Sequence, residues 1–247
     1  MDETQPSAGN PSPDSVEGAP AFDWRGCDAY LFDIDGTLLH TRDMVHFEAF
    51  LNAIQAEFGI TVSVEGIPVQ GSTDPIILSA ALSRAGVPAL RIRALLRKAI
   101  ERMAAEVEAR FGELKAEPCA AIASLLAELH LRGKLLALAS GNVERVGWAK
   151  VRAAHLDHYF AFGSFSDSGC DRTEIFRRAA EEARRRLANP TAKLCFVGDT
   201  PSDVESARAC GIPVIAVATG IFSVTELAAT SPELCIPSFQ ELWKLKL

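Results

Sequence analysis

Asp33-Ile34-Asp35-Gly36-Thr37 places two carboxylates two residues apart, directly after the short apolar run Ala29 to Phe32. That run reads as a buried strand, and Gly36-Thr37 break it as a strand-to-loop exit does. In a parallel α/β sheet such an exit lies on the carboxyl edge, where ligands bind. In a continuing strand both side chains would point to one face, and a loop would leave them only slightly splayed. Carboxylates held that close repel unless a cation or a shared proton compensates. A divalent metal does this economically, and oxygen-only ligands suit Mg²⁺. One carboxylate is then free to act as a nucleophile and the other as a proton donor and acceptor.

Two later apolar runs end in the same way. Leu135 to Ala139 exits into Ser140-Gly141-Asn142, which offers a hydroxyl and backbone N–H groups at a helix start, an anion site. Lys193 to Val197 exits into Gly198-Asp199-Thr200-Pro201-Ser202-Asp203, with Asp203 one helical turn beyond Asp199. Each feature alone is also what a capped helix would show. Three strand ends opening on one edge make their convergence the stronger reading.

The elements that must position these groups follow from the periodicity. Val45, Phe47, Phe50, Leu51, Ile54 and Phe58 recur at helical spacing, with Gly59 as the stop. Asp74-Pro75 reads as an N-cap followed by proline at the first helical position, and a third helix runs from about Leu90 to Phe111. Residues 41–115 therefore form an all-helical insertion. From Glu117 helix and strand alternate, which implies a parallel sheet with helices on both faces. The fold class is α/β, a Rossmann-like core built from 23–40 and 116–247 with a helical cap. Residues 1–22, rich in Pro, Ser, Gly and acidic residues, have the composition of a disordered tail.

The 247 residues carry a formal charge of -7 and no basic block, which argues against nucleic acid as a main partner. No stretch approaches an apolar membrane span, and the N-terminus lacks a basic segment followed by an apolar one, so a cytoplasmic location is expected. The six cysteines show no CxxC pair and no zinc spacing, and read as reduced thiols.

Asp33-Ile34-Asp35-Gly36-Thr37-Leu38 resembles the first motif of the haloacid dehalogenase superfamily, whose phosphatases use Asp-x-Asp-Gly-Thr. Ser140 resembles its second-motif Ser or Thr, and Gly198-Asp199-Thr200-Pro201-Ser202-Asp203 its fourth, Gly-Asp-x-x-x-Asp. The third motif normally brings a Lys before a helix; here Cys170-Asp171-Arg172-Thr173 leaves Arg172 in that place. Lys150 is the competing cation, although its place within a helix favours an exposed structural lysine.

A helical cap between the first and second motifs is the arrangement of the phosphoglycolate phosphatase-like subfamily. The resemblance implies a Mg²⁺-dependent hydrolysis of a small phosphate monoester, phosphoglycolate-like compounds included. Asp33 would be the nucleophile and Asp35 the acid and base. The Asp33 carboxylate, the Asp35 carbonyl and Asp199 would hold Mg²⁺, with Asp203 in support. Ser140, Gly141, Asn142 and Arg172 would hold the phosphoryl oxygens. The cap selects the leaving group in this family, which makes His46, Gly71, Ser72, Thr73 and Asp74 candidate substrate contacts; Asp74 equally reads as the cap of its own helix.

A β-phosphoglucomutase-like mutase and a non-catalytic binding module share the same core. A dehalogenase would lack Asp35, and a phosphonatase would need a cap lysine, for which Lys98 sits on a wet face. Oligomeric state is not legible.

Overall fold

The computed structural model describes residues 22–169 and 171–244. The tail expected over 1–22 falls outside them, apart from Phe22, which packs on the core. Strand β1 (Ala29–Phe32) is fully buried, as four consecutive apolar residues flanked on both sides must be. Its Tyr30 and Phe32 enter one hydrophobic cluster while Ala29 and Leu31 enter another, so the strand's two-residue period divides the core between the two sheet faces.

Around β1 a six-stranded sheet assembles in the order β5-β4-β1-β6-β7-β8, with every pairing parallel. The other strands are β4 (Leu135–Ala139), β5 (Phe162–Ser164), β6 (Leu194–Gly198), β7 (Val214–Val217) and β8 (Leu234–Ile236). From β1 the chain builds outward to β4 and β5, then crosses back to β6 on the other side. Such a reversal opens a crevice at the carboxyl ends of the strands it separates. The three strand ends singled out by the sequence belong to β4, β1 and β6, the three adjacent central strands.

Helix α4 (Ile122–Leu131) covers one face, and α6 (Arg172–Arg186) and α7 (Pro201–Ala209) cover the other. Phe176 of α6 stacks on Phe196 of β6 at 4.0 Å between ring centroids, which fixes the start of α6 over the sheet's end. Helices α1 (Val45–Phe58), α2 (Asp74–Arg84) and α3 (Ala89–Ala109) share their own hydrophobic cluster, which also takes in Val146 and Ala149 of α5 (Glu144–Ala153). An antiparallel ribbon that the sequence reading did not anticipate, β2 (Leu39–Thr41) with β3 (Ala116–Pro118), joins this helical unit to the core. A short α8 (Val224–Ala229) was likewise unanticipated. Among the described residues no helix is long and apolar enough to cross a membrane.

Phe176→Ala should destabilise the protein by about 3–5 kcal/mol, the usual loss for truncating a buried aromatic, read as a lower urea midpoint with unchanged slope.

Candidate active site

Asp33 continues the β1 ladder, its N–H donating to the Val197 carbonyl at 3.0 Å, so its side chain is delivered to the sheet's carboxyl edge. There it meets Asp199 and Asp203. One carboxylate oxygen from each of the three lies within 4.8 Å of the others, and all three residues are buried. Burial, with the neighbouring carboxylates adding to it, raises Asp33 to a pKa of about 6 and Asp199 to about 8. Arg172 lowers both, aided by the Ile34 N–H at Asp33 and, more strongly than Arg172 itself, by the Thr37 hydroxyl at Asp199. Its Nη2 lies 2.9 Å from Asp33 Oδ1 and 2.6 Å from Asp203 Oδ1, and its Nε donates to Asp203 Oδ1 at 2.6 Å. Although burial opposes its charge, Asp203 and Asp33 hold the guanidinium well above its ordinary pKa. Of the two candidate cations, Arg172 is the one that pairs with Asp33 and Asp203, and Lys150 pairs with Asp35.

Asp203 is already saturated. Its Oδ2 accepts from the Thr200 N–H and hydroxyl at 3.0 and 2.8 Å, a capping box at the start of α7, while Oδ1 faces Arg172. Asp199 is less committed, accepting from the Thr37 hydroxyl at 2.9 Å. Gly36, at φ +82°, and Gly220 approach Asp199 so closely that a Cβ on either would collide with its carboxylate. An all-carboxylate cluster in which burial disfavours the charge of Asp33 and Asp199, in a cradle kept clear by two glycines, fits a hard divalent cation.

Asp35 belongs to a different arrangement. The sequence argument grouped its carboxylate with that of Asp33 at one cation, but the side chain lies outside the cluster. It pairs with Lys150, whose Nζ is 2.9 and 2.8 Å from Oδ1 and Oδ2, and it accepts from Asn142 Nδ2 at 2.7 Å. Burial alone would raise Asp35; Lys150 and Asn142 overcome it and hold the group at about 2. Expected to be an exposed structural residue, Lys150 is 4% exposed and also donates to Asn142 Oδ1 at 2.9 Å. The signal for its burial was the spacing of Val146, Gly147, Val151 and Ala154, which puts Lys150 on the apolar face of its helix. Asn142 also reaches Ser140 Oγ at 3.0 Å, so the loop after β4 is tied to Asp35 from two directions.

The cap closes on this edge through residues 71–74. Asp74 does not cap its own helix, whose N-cap position is Thr73. Instead its Oδ2 accepts from the N–H of Val143, the N-cap residue of α5, at 2.8 Å, and its N–H donates to the Gly141 carbonyl at 2.9 Å. His46 Nε2 lies 3.4 Å from its other oxygen. A Cβ on Gly141 would collide with the Ser72 carbonyl, and one on Gly71 would come within 2.8 Å of Thr200 Oγ1. Sequence spacing within α2 could not reveal this, because the partner of Asp74 is 69 residues away.

A cavity of about 240 Å³ lies between cap and core. It is lined by Asp33, Asp35, Ser140, Gly141, Asn142 and Arg172 from the core, and by His46, Gly71, Ser72 and Asp74 from the cap. Lys150, weighed from the sequence only as the competing cation, completes it together with Val69, Gln70 and Ile77, which the sequence did not mark as site residues. Thr73, expected as a substrate contact, is not in the lining: its side chain is buried and its hydroxyl has no partner.

The family model of haloacid dehalogenase-like hydrolases matches residues 27–211. The chain belongs to this family. The hydrolase is 29% identical over 135 residues to a Mesorhizobium japonicum protein named phosphoglycolate phosphatase, a match covering 52% of this chain and 56% of that relative. It thus spans little more than half the length of that relative. It is 23% identical over 221 residues, 88% of this chain and 92% of the relative, to a Caldanaerobacter subterraneus protein provisionally named pyrophosphatase PpaX. Among solved structures, CbbY of Rhodobacter sphaeroides in complex with phosphate superposes with a TM-score of 0.64 at 23% identity, covering 87% of this chain and 96% of that one.

Two predictions follow from the site's internal bonds. In Lys150→Met, loss of the cation that opposes burial should move the Asp35 pKa upward from about 2, readable in a carboxyl ¹³C titration in EDTA. Asp74→Ala should cost about 1–3 kcal/mol in urea unfolding, because the Val143 N–H loses its acceptor, whereas Asp74→Asn should retain most of that stability.

Proposed function

We propose that this hydrolase is a Mg²⁺-dependent phosphatase that cleaves a small phosphate monoester through an aspartyl phosphate on Asp33. The reading rests on one observation: the carboxylates of two motifs, the Ser140 loop and Arg172 line one cavity of about 240 Å³ or stand directly behind it. A relative named phosphoglycolate phosphatase supports a monoester as substrate.

A phosphoryl group entering the cavity meets Ser140 and the backbone of the 140–142 loop on one side and Arg172 on the other, donors matched to its oxygens. Asp33 attacks phosphorus as the bond to the leaving oxygen breaks, and Asp35 gives that oxygen its proton. Water then attacks the aspartyl phosphate, returning a proton to Asp35 as the bond to Asp33 breaks and inorganic phosphate leaves. Asp35 is ionised in the resting site and is therefore ready as the base of the second step. For the first it must take up a proton as the incoming phosphoryl charge competes for Lys150. Bound Mg²⁺, held by the Asp33 and Asp199 carboxylates and the Asp35 carbonyl with Asp203 in support, would supply neutralisation of phosphoryl charge.

The described cysteines are all unpaired, which supports a reducing, cytoplasmic setting for such metabolite chemistry.

Phosphate release from a panel of monoesters should require Mg²⁺ and stop with EDTA. It should fall about a thousandfold or more in Asp33→Asn and about 10²–10⁴-fold in Asp35→Asn. Metal-dependent release that survives Asp33→Asn would rule out the covalent route. Conversion of glucose 1-phosphate to its 6-isomer without net phosphate release would instead make the enzyme a mutase.

A further inference from the structure

A second cavity, of about 220 Å³, adjoins the catalytic one and shares His46, Val69, Asp74 and Ile77 with it. Beyond that common rim it is walled by Phe47, Phe50 and Val64, so the cap's side of the site opens into an aromatic and aliphatic chamber. We propose that this chamber seats the leaving group, and that the substrate is therefore the phosphate monoester of an uncharged alcohol with an apolar body. The proposal rests on the phosphatase reading and narrows its substrate class.

Charge placement favours an apolar leaving group as much as shape does. The cations lining the catalytic cavity are Lys150 and Arg172, both from the core and both already engaged: Lys150 with Asp35 and Asn142, Arg172 with Asp33 and Asp203. Among the described residues the cap adds no lysine or arginine to either lining, and what it does add is the Asp74 carboxylate at the rim. A leaving group bearing a carboxylate or a second phosphate would enter past Asp74, which already has His46 Nε2 at 3.4 Å, into apolar walls where, among the described residues, no lysine or arginine replaces its water. An alkyl or aryl body instead exchanges water for Phe47, Phe50 and Val64. Each cavity is smaller than a drug-sized site, so the occupant is a small molecule rather than a peptide segment.

The test measures kcat/KM by phosphate release with Mg²⁺ for ethyl, butyl and hexyl phosphate, phosphoglycolate and pyrophosphate. In parallel, calorimetry compares ethyl- and hexylphosphonate binding to the same Mg²⁺-loaded protein. Each added methylene should raise kcat/KM about two- to fourfold, hexyl exceeding ethyl by about fifteenfold or more, with phosphoglycolate and pyrophosphate below butyl phosphate. Phe47→Ser and Val64→Ser should shrink the hexyl-to-ethyl ratio. Phe47 is 38% exposed, so its replacement does not hollow the cap.

Metal-dependent turnover with no gain from chain length, or with phosphoglycolate or pyrophosphate preferred, would overturn the apolar subsite and leave the phosphatase standing. Tighter binding of hexyl- than ethylphosphonate without turnover of any ester would keep the apolar site and remove the phosphatase. Neither turnover nor a difference between the phosphonates would end both.

Discussion

Arg172 is the group on which the catalytic edge depends. Three buried carboxylates converge at the ends of β1 and β6, and without compensating charge they would protonate or move apart. One guanidinium reaches Asp33 and Asp203 together, which a planar fork does better than an ammonium point charge. Its position is set from behind: Asp171 caps the helix by accepting from the Glu174 N–H at 2.9 Å, and Phe176, one turn on, stacks on Phe196. Because Arg172 answers only part of the negative charge, the space beside Asp33 and Asp199 stays electrostatically hungry for a cation.

A second ion pair, Lys150 with Asp35, keeps the carboxylate proposed to handle the proton apart from those proposed to hold the metal. The two aspartates of the first motif stand two residues apart yet live in opposite environments. Asp33 is pushed toward neutrality by burial among like charges. Asp35, its side chain 41% exposed at the cavity, is held ionised by Lys150 and Asn142. Divided in this way, neighbouring residues of one chain type can serve as nucleophile and as acid-base.

Much of this was legible in the residues themselves. The runs ending in Asp33, Ser140 and Asp199 identified three strands whose ends a parallel sheet opens on one edge, their adjacency being visible only in the fold, and helix limits such as Val45–Phe58 followed from apolar spacing. What escaped was tertiary or very local. The β2–β3 ribbon is two segments of three residues with no clear alternation, so only their pairing makes them strands. Helix α8 is too short for a periodic signal, although Ser223 and Glu226 already spelled its capping box. Asp74 resembles a cap for the helix it begins, and the competing acceptor role toward Val143 exists only once the cap is folded onto the core.

The ribbon also bears on how such a chain can be rearranged. Leu39 faces Pro118 and Thr41 faces Ala116, and the Arg42 N–H donates to the Lys115 carbonyl at 2.8 Å, so the chain leaves the sheet and returns to it side by side. A segment whose two ends are neighbouring strands imposes no span on whatever lies between them: a tight hairpin would close the gap as well as three helices do. At this seam the core is thus a socket of fixed gauge, indifferent to the length of what is plugged into it, although an exchanged segment must still cover Val146 and Ala149. New cap cavities can be tried by exchange at this one seam without redrawing the carboxylates beneath.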